Sequence, residues 1–185
     1  MGINNQNLKL TVGAIALIVA TSLSVFAEQD VNALLDQLKS ADSSEVAPIE
    51  RAIKLEWSKS GSTAMDLLLR RGRDAMDTDD WDAAIEHFTA LTDHAPEFAE
   101  GWHARATAYF RAGLYGPALA DLEQTLVLNP DQYDAIFGLG AMMMELDRPS
   151  LAAKAFRHVL RLHPTHENAT NALEQLERRG FGRTL

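Results

Sequence analysis

Three prolines, Pro96, Pro130 and Pro164, recur along the chain with a constant period of 34. Each is preceded at the same distances by a small residue, an alanine and a large apolar residue: Gly72, Ala84 and Phe88 in the first unit, Ala106, Ala118 and Leu122 in the second, and Gly140, Ala152 and Phe156 in the third. A period of 34 with this order is typical of paired helices that stack into a solenoid. The spacing therefore predicts an all-α fold with three helix–turn–helix units.

The helices of these units are delimited by apolar spacing and by breakers. We expect three pairs: 64–76 with 80–92, 98–111 with 115–127, and 132–145 with 149–161. Pro117 and Pro149 fall in the first turns of their helices, where a missing N–H has no cost. A last helix begins near His166 and ends at Gly180. We expect it to cap the third unit with its apolar side, which carries Ala169, Ala172, Leu173 and Leu176.

Residues 28–61 do not follow the period, but they also carry helical patterns. Two apolar stripes at helical spacing predict two helices: Val31, Leu34, Leu35 and Leu38 form the first stripe, and Val46, Ile49, Ile53 and Trp57 the second. Asp42 with Glu45 three positions later is typical of a capping box, and Gly61 suits a left-handed end of the second helix. We expect both helices to cover the open N-terminal end of the solenoid.

The first 27 residues have the pattern of a signal peptide. Lys9 is their only charge, an uncharged run follows from Leu10, and Val25 and Ala27 are small residues placed for cleavage before Glu28. The alternative is an uncleaved membrane anchor, because 18 uncharged residues are near the lower limit for a spanning helix. The whole chain has no cysteine, so disulfide bonds are excluded. The expected organisation is a signal peptide, an N-terminal helical segment, three repeats, and a capping helix with its tail: 1–27, 28–61, 62–98, 99–132, 133–166 and 167–185.

Residues 65–164 resemble three tetratricopeptide repeats. The motif positions that match are Trp102, Tyr109, Ala118, Leu122 and Pro130 in the second repeat, and Leu139, Gly140, Ala152, Phe156 and Pro164 in the third. The first repeat departs most, since Leu68 replaces the early Trp and Ala75 the Tyr. The resemblance implies a right-handed α-solenoid that acts as a protein–protein interaction scaffold. The chain as a whole is similar to small exported bacterial members of the family, which implies the periplasm.

In this family the first helix of each repeat lines a concave groove, and the resemblance directs attention to its inward positions. Leu69, Met76, Phe110, Phe137 and Met144 would form an apolar track. Such a track suits an apolar peptide or helix face of a partner. The candidate groove residues are Leu69, Arg73, Met76, His103, Thr107, Phe110, Arg111, Phe137, Ala141 and Met144. The alternative is that the chain's own N-terminal or C-terminal helices cover the track.

Family members that hold the C-terminal carboxylate of cytosolic heat-shock chaperones use a clamp of Lys, Asn, Asn, Lys and Arg. The corresponding positions here are Leu69, Arg73, Ala104, Asp134 and Gly138. Only one of them is basic and none is Asn. The sequence therefore predicts that this clamp is absent and that such chaperone tails are not the partners.

Charge and residue types argue against other classes of protein. Without residues 1–27 the chain has 16 basic and 26 acidic residues, which disfavours binding to nucleic acid. A proline separates His163 from His166, and Trp81 takes the third ligand position of the acidic run 77–82, so no metal site is expected. No nucleophile motif or phosphate loop appears. We expect no catalytic residues and no cofactor, and the sequence leaves the oligomeric state open.

Two hypotheses of different kinds remain. The first is a non-enzymatic periplasmic adaptor that binds a segment of another protein in the concave groove. The second is a membrane-tethered assembly or structural factor of an envelope complex, with the N-terminal helix uncleaved. The fate of residues 1–27 distinguishes the two.

Overall fold

The computed structural model describes residues 30–181, so the predicted signal peptide lies outside the described residues. Nine helices and no strand occur within this range: α1 (Val31–Ser40), α2 (Ser43–Trp57), α3 (Thr63–Asp77), α4 (Trp81–His94), α5 (Ala99–Arg111), α6 (Tyr115–Leu128), α7 (Tyr133–Glu145), α8 (Pro149–Leu162) and α9 (Glu167–Arg178). The predicted all-α fold is confirmed. The six repeat helices begin and end within two residues of their predicted limits.

The helices from α3 onward stack in chain order, each against the next. Two glycines explain why paired helices come so close. A Cβ atom on Gly72 would overlap the ring of Phe88, and one on Gly140 would lie only 2.5 Å from the ring of Phe156. In the first and third repeats the glycine is therefore needed because the aromatic ring of the partner helix packs directly on its backbone.

The turns inside the three repeats share one backbone conformation. Asp79, Gly113 and Asp147, which occupy the same position in successive periods, have φ angles of 58°, 76° and 53°. This left-handed conformation lets the chain reverse between the two helices of each pair. At the junctions between repeats, the residue before each proline leaves the helical region instead, as steric contact with the proline ring requires.

A largely buried ion pair within the second repeat is also hydrogen-bonded to the first repeat. Arg105 on α5 donates from Nε and Nη2 to the two carboxylate oxygens of Asp121 on α6, at 2.7 and 2.9 Å. It also donates from Nη1 to Thr92 on α4, at 2.8 Å. Its guanidinium lies over the rings of Trp102 and Tyr109, 4.9 and 5.7 Å from their centroids. Three helices are thus joined by one side chain.

The C-terminal helix α9 packs on α8. Ala169 and Leu176 on its inner side are fully buried, and its outer side carries exposed residues such as Glu174 and Arg178. This placement is the predicted one, and it closes the apolar end of the third repeat.

The N-terminal helices do not cover the N-terminal end of the solenoid, so that prediction was wrong. Instead α1 contacts α8, and the side chains of α2 reach the third repeat. Glu50 approaches the His163 Nε2 atom at 2.5 Å, Lys54 pairs with Asp134 at 3.3 Å, and the Trp57 ring lies 5.1 Å from that of Tyr133.

The physical reason lies in the core of the third repeat. Leu34, Leu35, Leu38 and Ile53 join one apolar cluster with residues of α7, α8 and α9. The third repeat thus gains apolar cover from both ends of the chain. Helix α2 ends at Trp57 rather than at Gly61, which lies in the following connection with a φ of 77°.

Candidate protein-binding groove

The first helices of the repeats, α3, α5 and α7, line two adjoining cavities. The more apolar of the two lies between α5 and α7 and has a volume of about 290 Å³. Phe110, Phe137 and Ala141 give it apolar walls, while Arg111 and Asp134 bring charge to its edge. The apolar walls suit a ligand side chain without charge.

The second cavity lies between α3 and α5 and has a volume of about 340 Å³. Met76, Arg73 and Asp77 line it from α3. His103 and Thr107 line both cavities, so the two are continuous along the face of the solenoid. We call the two cavities together the concave groove.

A buried carboxylate forms the polar centre of the groove. Glu100 accepts hydrogen bonds from Arg73 Nη2 at 2.6 Å and from Gln132 Nε2 at 2.7 Å, and its other contact is His103 Nδ1 at 3.1 Å. Arg73 also donates to the Ser58 hydroxyl at 3.0 Å. Side chains from α3, from α5 and from the residue before α7 therefore converge on one acid, and the end of α2 contacts it only through Arg73.

Glu100 and His103 each stabilise the charged form of the other. Burial alone would raise the pKa of Glu100, but His103 and Arg73 outweigh burial and lower it. Burial alone would lower the pKa of His103, but Glu100, with support from Asp134, raises it. The wall between the two cavities thus holds an ion pair whose charges compensate each other. Arg111 is exposed and has no salt bridge within the described residues.

Most of the predicted groove residues line the concave groove: Arg73, Met76, His103, Thr107, Phe110, Arg111, Phe137 and Ala141. Leu69 and Met144 do not. Leu69 is only 2% exposed and packs in a core cluster with Ala84 and Phe88 of α4. Met144 packs against the cluster of the third repeat. The predicted apolar track is therefore shorter at both ends, because its outer members face the neighbouring helices.

Phe137 is shared between the groove and the core. Its ring lies 5.4 Å from that of Phe156 and is stacked on the imidazole of His166 at 5.2 Å. Phe110 packs on Tyr115 at 5.6 Å. These contacts hold both aromatic rings in place before any ligand arrives.

The roles of Gln132 and α2 in the groove were not predicted from the sequence. A signal for Gln132 existed, because the register-equivalent residues are Phe98 and His166, and an amide at an otherwise aromatic position is unusual. No signal existed for Ser58, since its position depends on where the N-terminal helices dock. At the carboxylate-clamp positions, Leu69 and Ala104 are buried, and Asp134 is paired with Lys54.

Within residues 30–181, no group of three or more His, Cys, Asp and Glu side chains is arranged to hold a metal ion. His163 and His166 do lie close, with ring centroids 5.2 Å apart, but they pack edge-on against each other and against Tyr133. No helix in this part of the chain has the length and apolar character needed to cross a membrane.

The fold and the groove define a class of protein: a short helical-repeat solenoid whose first helices form a concave interaction face. The sequence profile of the tetratricopeptide repeat family matches residues 69–116 and 103–167, more than half of the chain. The chain belongs to the tetratricopeptide repeat family.

Two curated relatives match most of this chain, but over different shares of their own length. A TPR repeat-containing protein of Rhizobium etli is 29% identical over 150 residues, which cover 80% of this chain and 74% of that protein. RNA polymerase II-associated protein 3 of Homo sapiens is 28% identical over 152 residues, which cover 82% of this chain but only 23% of that much longer protein.

Solved structures agree on the fold. The first TPR domain of Spaghetti, bound to an HSP90 peptide, superposes with a TM-score of 0.60 at 28% identity and covers 62% of this chain and 91% of that one. The Yersinia enterocolitica type III secretion chaperone SycD, in complex with a peptide of the translocator YopD, gives a TM-score of 0.61 at 12% identity, with coverage of 64% and 96%. At that identity the likeness concerns the fold alone.

Proposed function

We propose that this chain is a non-enzymatic protein-interaction scaffold that holds a segment of a partner protein in the concave groove. One observation carries the proposal: two cavities lined by the first helices are joined at His103 and Thr107 into a continuous groove whose α5–α7 part is mainly apolar. The peptide-bound TPR domain of Spaghetti, 28% identical to this chain, supports a partner that is a peptide segment.

The groove favours a mainly apolar segment. Phe110, Phe137 and Ala141 accept apolar side chains, and Arg111, exposed at the edge, is placed to meet one acidic group. Arg73 is already committed to Glu100 and Ser58, so it is a poor receptor for a terminal carboxylate. The residues at the carboxylate-clamp positions argue against a ligand like the HSP90 peptide that the Spaghetti domain binds.

We further propose that the protein acts in the bacterial periplasm after removal of residues 1–27. The support is the uncharged run from Leu10 and the small residues before Glu28. N-terminal sequencing of the protein purified from the cell envelope tests this. A start at Glu28 is expected, whereas an intact N-terminus in the membrane fraction would favour the tethered assembly factor instead.

Site-specific photo-crosslinking in cells tests the groove itself. The photoreactive residue replaces Thr107, which is exposed and lines both cavities, and the matched control replaces Glu86, which is exposed on α4. We expect a discrete covalent adduct with one protein at position 107 and none at position 86. Adding Ala141→Arg, which fills the groove between α5 and α7, should abolish the adduct.

Two outcomes would contradict the groove as the binding site. One is the same adduct from both positions, and the other is an adduct at position 107 that survives Ala141→Arg. A circular dichroism melt of each variant establishes that it is folded.

A further inference from the structure

A second apolar groove lies on a different face of the molecule, between α6 and α8, with α7 as its floor. Its volume is about 530 Å³. Leu126, Ile136, Leu139, Met143 and Ala155 supply apolar walls and floor. We call it the α6–α8 groove, and it shares no lining residue with the concave groove.

The preceding repeat shows what fills this position elsewhere in the same chain. Moving back by one period turns Ile136 into Trp102, Leu139 into Arg105, and Ala155 into Asp121. In the second repeat these three residues form the buried clamp, in which Arg105 binds Asp121 and lies over Trp102.

The third repeat has lost every polar part of that clamp. Its replacements are aliphatic, so the third repeat has no equivalent of the Arg105 guanidinium and no indole that covers the floor. Leu151 at the edge of the groove remains 48% exposed. In the second repeat, Arg105, Asp121 and Trp102 fill this space as a plug. The third repeat supplies no equivalent, so the α6–α8 groove stays open.

The rim of the α6–α8 groove is basic, against the overall charge of −9. Lys154 and Arg161 are exposed and form no salt bridge within residues 30–181. Their register equivalents are the uncharged Ala120 and Val127. The positive charge is therefore particular to the repeat in which the plug is missing.

The third basic residue of the rim contributes little charge at neutral pH. Burial and then Arg161 lower the pKa of His158, and the nearby Asp131 opposes them. Lys39 on α1 in turn lies near enough to Asp131 to feel its charge. Lys154 and Arg161 thus set the positive sign of the rim.

We propose that the α6–α8 groove is a second docking site, and that its occupant is an amphipathic segment of a partner protein with large apolar anchors beside acidic residues. The anchors take the place that Trp102 takes in the second repeat, and the acidic residues meet Lys154 and Arg161. This site does not depend on ligand binding in the concave groove. One scaffold could then hold two segments at once.

The test uses a synthetic helical peptide with Leu and Trp on one face and Glu on the other, labelled for fluorescence anisotropy. A matched peptide has Gln in place of every Glu. The first protein variant is I136W/L139R/A155D, which transplants the clamp of the second repeat into the third and fills the groove. The second is K154E/R161E, which changes only exposed residues. Thr107→Arg in the concave groove is the control.

We expect the acidic peptide to bind the wild-type protein and the Thr107→Arg control equally. The plugged variant should lose binding, and K154E/R161E should bind about tenfold more weakly, as should the wild type with the Gln peptide. Because K154E/R161E leaves the core intact, it keeps the test decisive if the plugged variant does not fold.

Several results would overturn the proposal. Equal affinity of the wild type, I136W/L139R/A155D and K154E/R161E for the acidic peptide would show that the peptide binds elsewhere. Equal affinity for the Glu and Gln peptides would remove the role of the rim. Self-association of the wild type in analytical ultracentrifugation that is lost in K154E/R161E would make a second copy, and not a partner, the occupant.

Discussion

At the scale of single residues, Gly140 and Gly116 make opposite demands although both lie in helices. A Cβ on Gly140 would meet the buried ring of Phe156 at 2.5 Å, whereas one on Gly116 would meet nothing within 4 Å. We expect Gly140→Ala to lower the free energy of unfolding by about 1–3 kcal/mol through overpacking. Gly116→Ala should raise it by about 0.4–1 kcal/mol by restricting the unfolded chain.

Urea denaturation followed by circular dichroism measures both changes. A Gly140→Ala protein as stable as the wild type would mean that the two helices can separate without cost. The rigid fit between small residue and ring would then not explain the 34-residue period.

The left-handed turn residues offer a second comparison. Asp147 has a φ of 53°, while its equivalent in the second repeat is Gly113 with a φ of 76°. Asp147→Gly should stabilise the protein by up to about 1 kcal/mol, because glycine carries no steric penalty there, and Gly113→Ala should destabilise it by about 1–2 kcal/mol. Denaturant midpoints of the two variants should therefore move in opposite directions, and movement in the same direction would contradict this account.

The ion pair in the concave groove makes stability depend on pH. Because the pKa of His103 is raised above its ordinary 6.5 in the folded state, its contribution is complete below about pH 6.5 and is lost as pH rises through the raised value. For Glu100 the pKa is lowered, so its contribution is present above 4.5 and is lost as pH falls through the lowered value.

We therefore expect His103→Gln to cost more stability at about pH 6 than at about pH 9. The wild-type and variant unfolding free energies are subtracted at each pH, so that other groups cancel. These groups include His158 and His166, whose pKa values are lowered mainly by burial. A difference that does not change with pH would mean that His103 is not protonated in the folded protein.

At the scale of helices, α2 is the element whose docking can be tested most sharply. Ile53 is fully buried in the cluster that includes Tyr133 and Ile136 of the third repeat. Ile53→Ala should cost about 2–5 kcal/mol. It should also reduce amide hydrogen-exchange protection at the start of α7.

Leu55 on the same helix is 61% exposed, and Leu55→Ala is the matched control. It should leave both stability and exchange nearly unchanged. If Ile53→Ala increased exchange only in α3 and left α7 protected, the N-terminal helices would be acting at the first repeat.

The helices of the repeats could be predicted from the sequence, but the docking of α1 and α2 could not. Each 34-residue unit carries its own apolar spacing, small residues and turn signals, which act over short distances along the chain. The stripe with Ile53 and Trp57 shows that one face of α2 is buried, but not which surface buries it. That surface, at Tyr133, lies two whole repeats further along the sequence.

The helical register predicted the middle of the candidate groove but not its two ends. Side chains in the middle of the inward face, such as Thr107 and Phe110, line it as expected. Leu69 does not, although it has the same register position as His103 and Phe137, because it packs into the core cluster of the first repeat. The α6–α8 groove could not be predicted from the sequence, because only the structure shows that Arg105 and Trp102 fill the equivalent place in the second repeat.

At the scale of the whole molecule, the C-terminal helix carries a large share of stability because it is an end unit. Removal of residues from Glu167 onward would take away the fully buried Leu176 and Ala169 and expose Val159. A large apolar side chain contributes roughly 1.5–3 kcal/mol on burial, against about 5–15 kcal/mol for a whole domain. We expect the truncated chain to melt many degrees lower or to aggregate. Size-exclusion chromatography and a melting curve check this, and an unchanged monomer would make α9 a dispensable appendage.

Helices α1 and α2 pack on each other as a hairpin, and its second helix reaches from the first repeat to the end of the third. The end of α2 lies beside the first repeat, where Arg73 donates to Ser58, and an earlier turn reaches the junction after the third, where Glu50 meets His163. Because a helix has a fixed rise per residue, this span cannot stretch. If a fourth unit were inserted by duplication, the hairpin would stop one junction short of α9. A hairpin of constant length therefore matches a solenoid of three repeats, and we expect a four-repeat variant to lose one of these two contacts.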